Sequence, residues 1–109
     1  IIDDGSHILS DILKNLIFFF RLLKPSGIYI IEDYMHPNYY PQLNDLKNHF
    51  FIDKVLLFLK NKKIFKSQIL KRNEISHLNK NIKNIITHKG ICMEKGKNIS
   101  NIAFIYKKK

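Results

Sequence analysis

Apolar residues recur at positions 8, 9, 12, 13, 16, 17, 19, 20 and 23, the i, i+3, i+4 spacing that lays an apolar stripe along a helix. Ser6 is the expected N-cap, with Ser10 and Asp11 in the first turns. The helix should stop near Leu23, because Pro25 disfavours helical geometry at Lys24 and Gly27 permits a reversal. Ahead of it, Ile1-Ile2 halts at Asp3-Asp4-Gly5-Ser6-His7, a pattern that suits the carboxyl end of a buried parallel strand. Behind it, Ile28-Tyr29-Ile30-Ile31 reads as a second strand, ended by Glu32-Asp33. Strand, helix and strand in this span make one βαβ unit, with parallel strands and a right-handed crossover.

The pattern is less regular downstream. Residues 34–41 read as a loop, with Pro37, Pro41 and Tyr34, Tyr39 and Tyr40. Pro41 suits a first helical position, and residues 41–60 are expected to form a second amphipathic helix, either well covered or broken near Asp53. Residues 60–84 are rich in Lys and Asn and give no firm element beyond a short helix over 73–80. Ile85–His88 and Ile91–Lys95, flanking Lys89-Gly90, predict a β-hairpin. Ile102–Tyr106 is expected as a last edge strand, with a frayed tail at 107–109. There is no internal repeat.

The 109 residues suffice for one small domain, and 45% hydrophobic with 26% charged residues excludes wholesale disorder. A net charge of +10 is unevenly spread: residues 1–33 carry −2 and residues 34–109 carry +12. A basic stretch of this kind can bind nucleic acid or an anionic surface. However, 17 of the 19 basic residues are Lys, whereas readers of phosphate and base edges favour Arg forks. A solvated basic face is the expectation, so nucleic acid is not expected as a partner. Cys92 is the single cysteine, which excludes an internal disulfide and a Cys-based zinc site, and its apolar neighbours suit a buried thiol. The most apolar stretch, Ile8–Leu23, is too short and too polar to span a bilayer. No signal peptide is visible, and a cytoplasmic setting without a membrane partner is expected.

The chemistry concentrates at the two strand ends. Neighbouring strands lie about 4.8 Å apart, so Asp4 and the Glu32-Asp33 pair should converge at the carboxyl edge, where open α/β sheets bind ligands. Three acids so close repel one another, and a hard divalent cation would relieve that. Oxygen ligands point to Mg²⁺, Mn²⁺ or Ca²⁺. His7 sits where the loop turns into the helix and suits a general base. Taken singly, each of these residues also fits ordinary cap or loop chemistry. Their conjunction is what points to a site. A hydrolase of Rossmann-like fold using the same carboxylates, and a non-enzymatic basic module that binds nucleic acid, are the alternatives.

Ile-Ile-Asp-Asp-Gly-Ser-His (1–7), Leu-Lys-Pro-Ser-Gly (23–27) and Ile-Tyr-Ile-Ile-Glu-Asp (28–33) resemble the fourth strand, following helix and fifth strand of class I S-adenosylmethionine-dependent methyltransferases. The resemblance is to the metal-dependent O-methyltransferases acting on macrolide sugars and their cephalosporin-hydroxylase-like relatives. Residues 82–85 and 91–96 are similar to that family's closing hairpin. The resemblance implies an α/β fold, the C-terminal half of a Rossmann-like methyltransferase sheet: strand–helix–strand, a helix, then an antiparallel hairpin. It implies a partial catalytic domain over 1–97, with 98–109 as a basic tail or edge strand. It implies Asp4, Glu32 and Asp33 as metal ligands for Mg²⁺ or a similar cation, His7 as catalytic base, and methyl transfer to a hydroxyl of a small molecule or sugar. Residues 34–41, with Tyr34, His36, Tyr39 and Tyr40, are expected to border the acceptor pocket. The four glycines (5, 27, 90 and 96) form no Gly-x-Gly pattern, so the S-adenosylmethionine site is expected mostly outside this chain, which alone should be inactive. A homo-oligomer stays open.

Overall fold

Strand, helix and strand follow one another at the start of the chain as the apolar spacing predicts. The computed structural model describes residues 1–90, 93, 94 and 96–109. Strand β1 spans Ile2–Asp3, helix α1 Leu9–Leu22 and strand β2 Ile28–Glu32. β1 and β2 are parallel, with Ile2 opposite Ile30 and Asp3 opposite Ile31. The apolar stripe of α1 is buried along its length through Leu9, Ile12, Leu13, Leu16, Ile17 and Phe20. Each such burial stabilises by about 1.5–3 kcal/mol.

The start of α1 departs from the expected Ser6 cap. Ile8 holds the N-cap position in extended geometry, with no side-chain cap. The Ser6 hydroxyl accepts the Ile8 N–H at 3.2 Å and donates to Asp11 at 2.7 Å, so it shapes the lead-in turn instead. The first-turn N–H of Ser10 donates to Asp45 Oδ1 at 3.0 Å, and the Ser10 hydroxyl donates to Asp45 Oδ2. A carboxylate far along the chain thus satisfies the positive end of the helix, which local spacing does not reveal. At the other end Lys107 Nζ donates to the carbonyls of Phe20 and Leu23 at 3.1 and 2.7 Å. The turn into β2 needs glycine: a Cβ on Gly27 would collide with the Leu23 side chain and the Lys24 carbonyl.

The expected helix over 41–60 is two separate pieces. A short helix α2, His36–Tyr39, leads into a 3₁₀ turn at Pro41–Leu43, and helix α3 begins only at Ile52 and ends at Lys60. Pro41 does open its turn. Asp45 then leaves the helical path to cap α1, and Asn48 takes a left-handed φ of 62°, so the chain between is irregular. Helix α4 spans Arg72–Asn81, close to the short helix anticipated there, and the Glu74 side chain reaches back to accept the Lys71 N–H at 2.8 Å.

The C-terminal strands differ most from expectation. Strand β3 spans Ile82–Lys89, β4 Met93–Glu94, β5 Lys97–Asn98 and β6 Asn101–Lys107. The main sheet runs β1-β2-β6-β3, with β6 antiparallel to both neighbours. The expected edge strand is therefore interior to the sheet. Ala103 and Ile105 are fully buried, which explains why: they fill the same core as Tyr29, Ile31 and Ile85. Ile85–His88 does not close a hairpin on the segment after Gly90; it pairs with β6. Gly90 serves a close approach, because a Cβ there would overlap Ser100. β4 and β5 form their own ribbon, turning at Gly96 with φ 74°. Ile91, Cys92 and Lys95 lie outside the described residues, and with them the expected buried thiol.

Helices α1, α3 and α4 pack with one sheet face into a single core, joined by Leu9, Phe20, Leu59, Leu78, Tyr29 and Ile105 among others. Ile28 and Ile86 are partly exposed, as are Ile1 and Ile2 on the β1 edge. Among the described residues no helix is long and apolar enough to cross a membrane.

Candidate metal centre

Because β1 and β2 run parallel, their carboxyl ends finish side by side, and the polar residues that follow them meet. Asp3 and Asp4 part company there. Asp3 accepts the Gly5 N–H at 3.1 Å and the Tyr29 hydroxyl at 3.4 Å, the phenol being pushed well up by burial and then by Asp3. Asp4 turns to the other side. Its Oδ1 lies 3.6 Å from His7 Nε2, and the same nitrogen lies 4.0 Å from Asp33 Oδ2. One ligand atom each from Asp4, His7 and Asp33 falls within 4.8 Å of the others.

Glu32 completes the group from the side of Asp4. Its carboxyl is held above the ordinary range, first by a hydrogen bond to Asp4 and then by the Asp4 charge, with desolvation and Asp33 adding to the shift and His7 opposing it. The three carboxylates and the base expected from the sequence therefore all gather here, with Glu32 against Asp4 rather than inside the tightest triplet. Two of them sit in unusual backbone: His7 has φ 61° and Asp33 φ 54°. Left-handed geometry costs about 1–2 kcal/mol per L-residue and is concentrated at functional sites. Among the described residues Ser26, Asn48 and Lys62 share this geometry, and His7 and Asp33 are the pair of them whose side chains form an ion-pair contact.

The acceptor-loop expectation divides. His36 joins the cluster: its Nε2 lies 4.0 Å from Asp33 Oδ1, and its ring centroid is 4.7 Å from that of His7. The sequence reading assigned His36 to a pocket wall and missed this contact. Its signal was the i, i+3 spacing from Asp33, ahead of a proline that starts a helical turn. Tyr40 packs edge-on against His36 at 5.5 Å and donates its hydroxyl to Glu94 at 2.6 Å. Tyr34 turns inward instead. It is buried, and lines a separate hollow of about 280 Å³ with Asp53, Leu56, Ile85 and Thr87. Burial raises its phenol, with a hydrogen bond to Thr87 acting the other way.

Within 4.0 Å, the basic partners of Asp4 and Asp33 among the described residues are histidines. Carboxylates crowded together repel one another, and a shared cation relieves that. Oxygen-rich clusters of this size suit hard divalent ions. A hollow of about 400 Å³, lined by Ile1, Ile2, Asp4, Phe19 and Tyr29 among others, opens beside the group.

No family model and no curated protein matches the chain. Solved structures do. The MycE methyltransferase from the mycinamycin biosynthetic pathway, in complex with Mg, SAH and mycinamycin VI, superposes with a TM-score of 0.60 at 22% identity, covering 98% of this chain and 25% of that one. A second complex of the same enzyme, with Mg and SAH, gives 0.59 at 20% identity, over 98% and 26%. The fold is that of part of a methyltransferase. The chain spans about a quarter of that protein's length, and at this identity the likeness is one of fold. The expected partial Rossmann-like sheet is thus present, with the methyltransferase order of strand, helix and strand intact and β6 inserted beside β2.

Proposed function

We propose that this chain carries the metal-holding and proton-accepting side chains of an S-adenosylmethionine-dependent O-methyltransferase acting on a hydroxyl of a small molecule or sugar. The observation that supports it most is the meeting of Asp4, His7 and Asp33, with Glu32 alongside, at the carboxyl end of a methyltransferase-type sheet. MycE binds Mg, SAH and a macrolide, and that chemistry is carried to this chain as a proposal.

The donor set fits a hard cation: three carboxylates with histidines as their nearest basic neighbours. Asp4, Asp33 and Glu32 would hold Mg²⁺ or a similar ion, which when bound would orient the acceptor oxygens and lower the hydroxyl's pKa. His7 takes the acceptor's proton at a ring nitrogen as the oxygen attacks the methyl carbon, whose bond to the donor's sulfonium sulfur breaks with the electron pair leaving on sulfur as a neutral thioether. The left-handed backbone at residues 7 and 33 holds base and carboxylate in mutual reach before any substrate arrives, so positioning precedes chemistry. No residue of this chain is assigned to the methyl donor, whose nucleotide would be held by other parts of such an enzyme.

The test is transfer of labelled methyl from S-adenosylmethionine to hydroxylated acceptors by the protein that bears this chain. EDTA should stop it, and His7→Ala should lower it by about 10²–10⁴-fold with the fold intact. Full transfer by both His7→Ala and Asp33→Asn would refute the assignment.

A further inference from the structure

The His36 imidazole touches two members of the cluster at once. Its Nε2 faces Asp33 Oδ1, while the other oxygen of that carboxylate, Oδ2, faces His7 Nε2, each at 4.0 Å. Its ring also leans on the His7 ring at 4.7 Å and 58°. We infer that His36 is a positioning residue, holding the Asp33 carboxylate so that one oxygen is turned toward Asp4 and His7 and the other is kept occupied. This rests on the proposed metal role of Asp33.

Three observations carry the inference. First, His36 is itself held. The His36 N–H donates to the Asp33 carbonyl at 3.2 Å, and the Tyr40 N–H donates to the His36 carbonyl at 2.9 Å. Pro37 is buried in the same turn, so α2 fixes the ring close behind Asp33. Second, Tyr40 packs edge-on against the ring and donates its hydroxyl to Glu94, giving His36 a second ring contact besides His7. Third, Asp33 is in left-handed backbone and partly exposed, so its carboxylate would swing unless something engaged its second oxygen. A separation of 4.0 Å is an ion-pair or water-bridged distance rather than a direct hydrogen bond, and such contacts still orient a carboxylate. Groups that engage the back of a metal ligand change affinity by about 10–100-fold when removed.

The experiment is Mn²⁺ binding followed by the loss of the free-ion electron paramagnetic resonance signal, on the full chain and three variants. His36→Ala and His36→Phe should each bind about tenfold or more weakly, because neither offers an N–H to Asp33. His36→Gln should bind within about threefold of the unaltered chain, because it restores the donor without the ring. Wild-type affinity in His36→Phe would show that only ring packing matters and would overturn the inference, as would equal weakening in His36→Gln and His36→Ala. Failure of the unaltered chain to bind Mn²⁺ would remove the metal reading itself, and the positioning role with it. Asp33→Asn separates the two cases: it abolishes binding if Asp33 is a ligand, whatever His36 does.

Discussion

The two ends of α1 and its flanking strands treat charge in opposite ways. At the amino end of β2, Lys107 crosses from the last strand to satisfy the Phe20 and Leu23 carbonyls and lies 5.2 Å over the Phe20 ring. A cation meets the negative end of a helix, and the polar groups there are answered from within the chain. At the carboxyl end, Asp4, Glu32 and Asp33 face one another, with histidines as their nearest basic company. A fold that pairs its charges in one place and leaves like charges crowded in another is marking the second place for something beyond folding.

If that contrast is real, the two ends respond oppositely to losing a charge. Lys107→Met should destabilise the protein by about 1–3 kcal/mol, since it strips the Leu23 carbonyl of its Lys107 donor and the Phe20 carbonyl of one of its two, and urea unfolding would read it. Asp4→Asn should do the reverse in the absence of metal: removing a negative charge beside Glu32 should raise the unfolding midpoint slightly in the same assay. A destabilising Asp4→Asn would mean that the acids already neutralise one another.

The smallest effect is a difference in pH slope between Glu32 and Asp45. Glu32 is held above its ordinary pKa of 4.5, so the folded state keeps its proton longer than the unfolded chain does. Its contribution is therefore full below that value and is lost as pH rises through the raised folded value. Asp45 runs the other way. Burial pushes it up, but the Ser10 hydroxyl and N–H outweigh this and leave it below 3.8, so its contribution is present above that value and fades as pH falls. Unfolding curves across the acidic range should flatten at the upper side for Glu32→Gln and at the lower side for Asp45→Asn.

The βαβ unit was legible because its signals are local. The apolar stripe of α1, the stop at Pro25 and Gly27, and the acids after each strand all act within a few residues. The gathering of Asp4, His7, Glu32 and Asp33 followed from the parallel pairing alone. What was not legible depends on distant partners. The Asp45 cap on Ser10 spans most of the first half of the chain, and nothing around residue 45 announces it. The placement of β6 between β2 and β3 is a choice among strand partners that alternation cannot make: the same pattern suits an edge or an interior position until both neighbours are known. His36 was expected only as a border of the acceptor pocket, and its contact with Asp33 was not foreseen. Its i, i+3 relation to Asp33 exists only once the chain turns helical there, and a segment with two prolines reads first as a loop.

Isothermal titration with Mg²⁺, comparing the unaltered chain with Asp4→Ala and Glu32→Ala, bears most directly on the claim that these strand ends form a cation site. One ion per chain should bind, with affinity reduced at least about tenfold in each variant, since each removes an oxygen ligand or its immediate support. Equal affinity in all three proteins, or no heat of binding in the unaltered one, would contradict it.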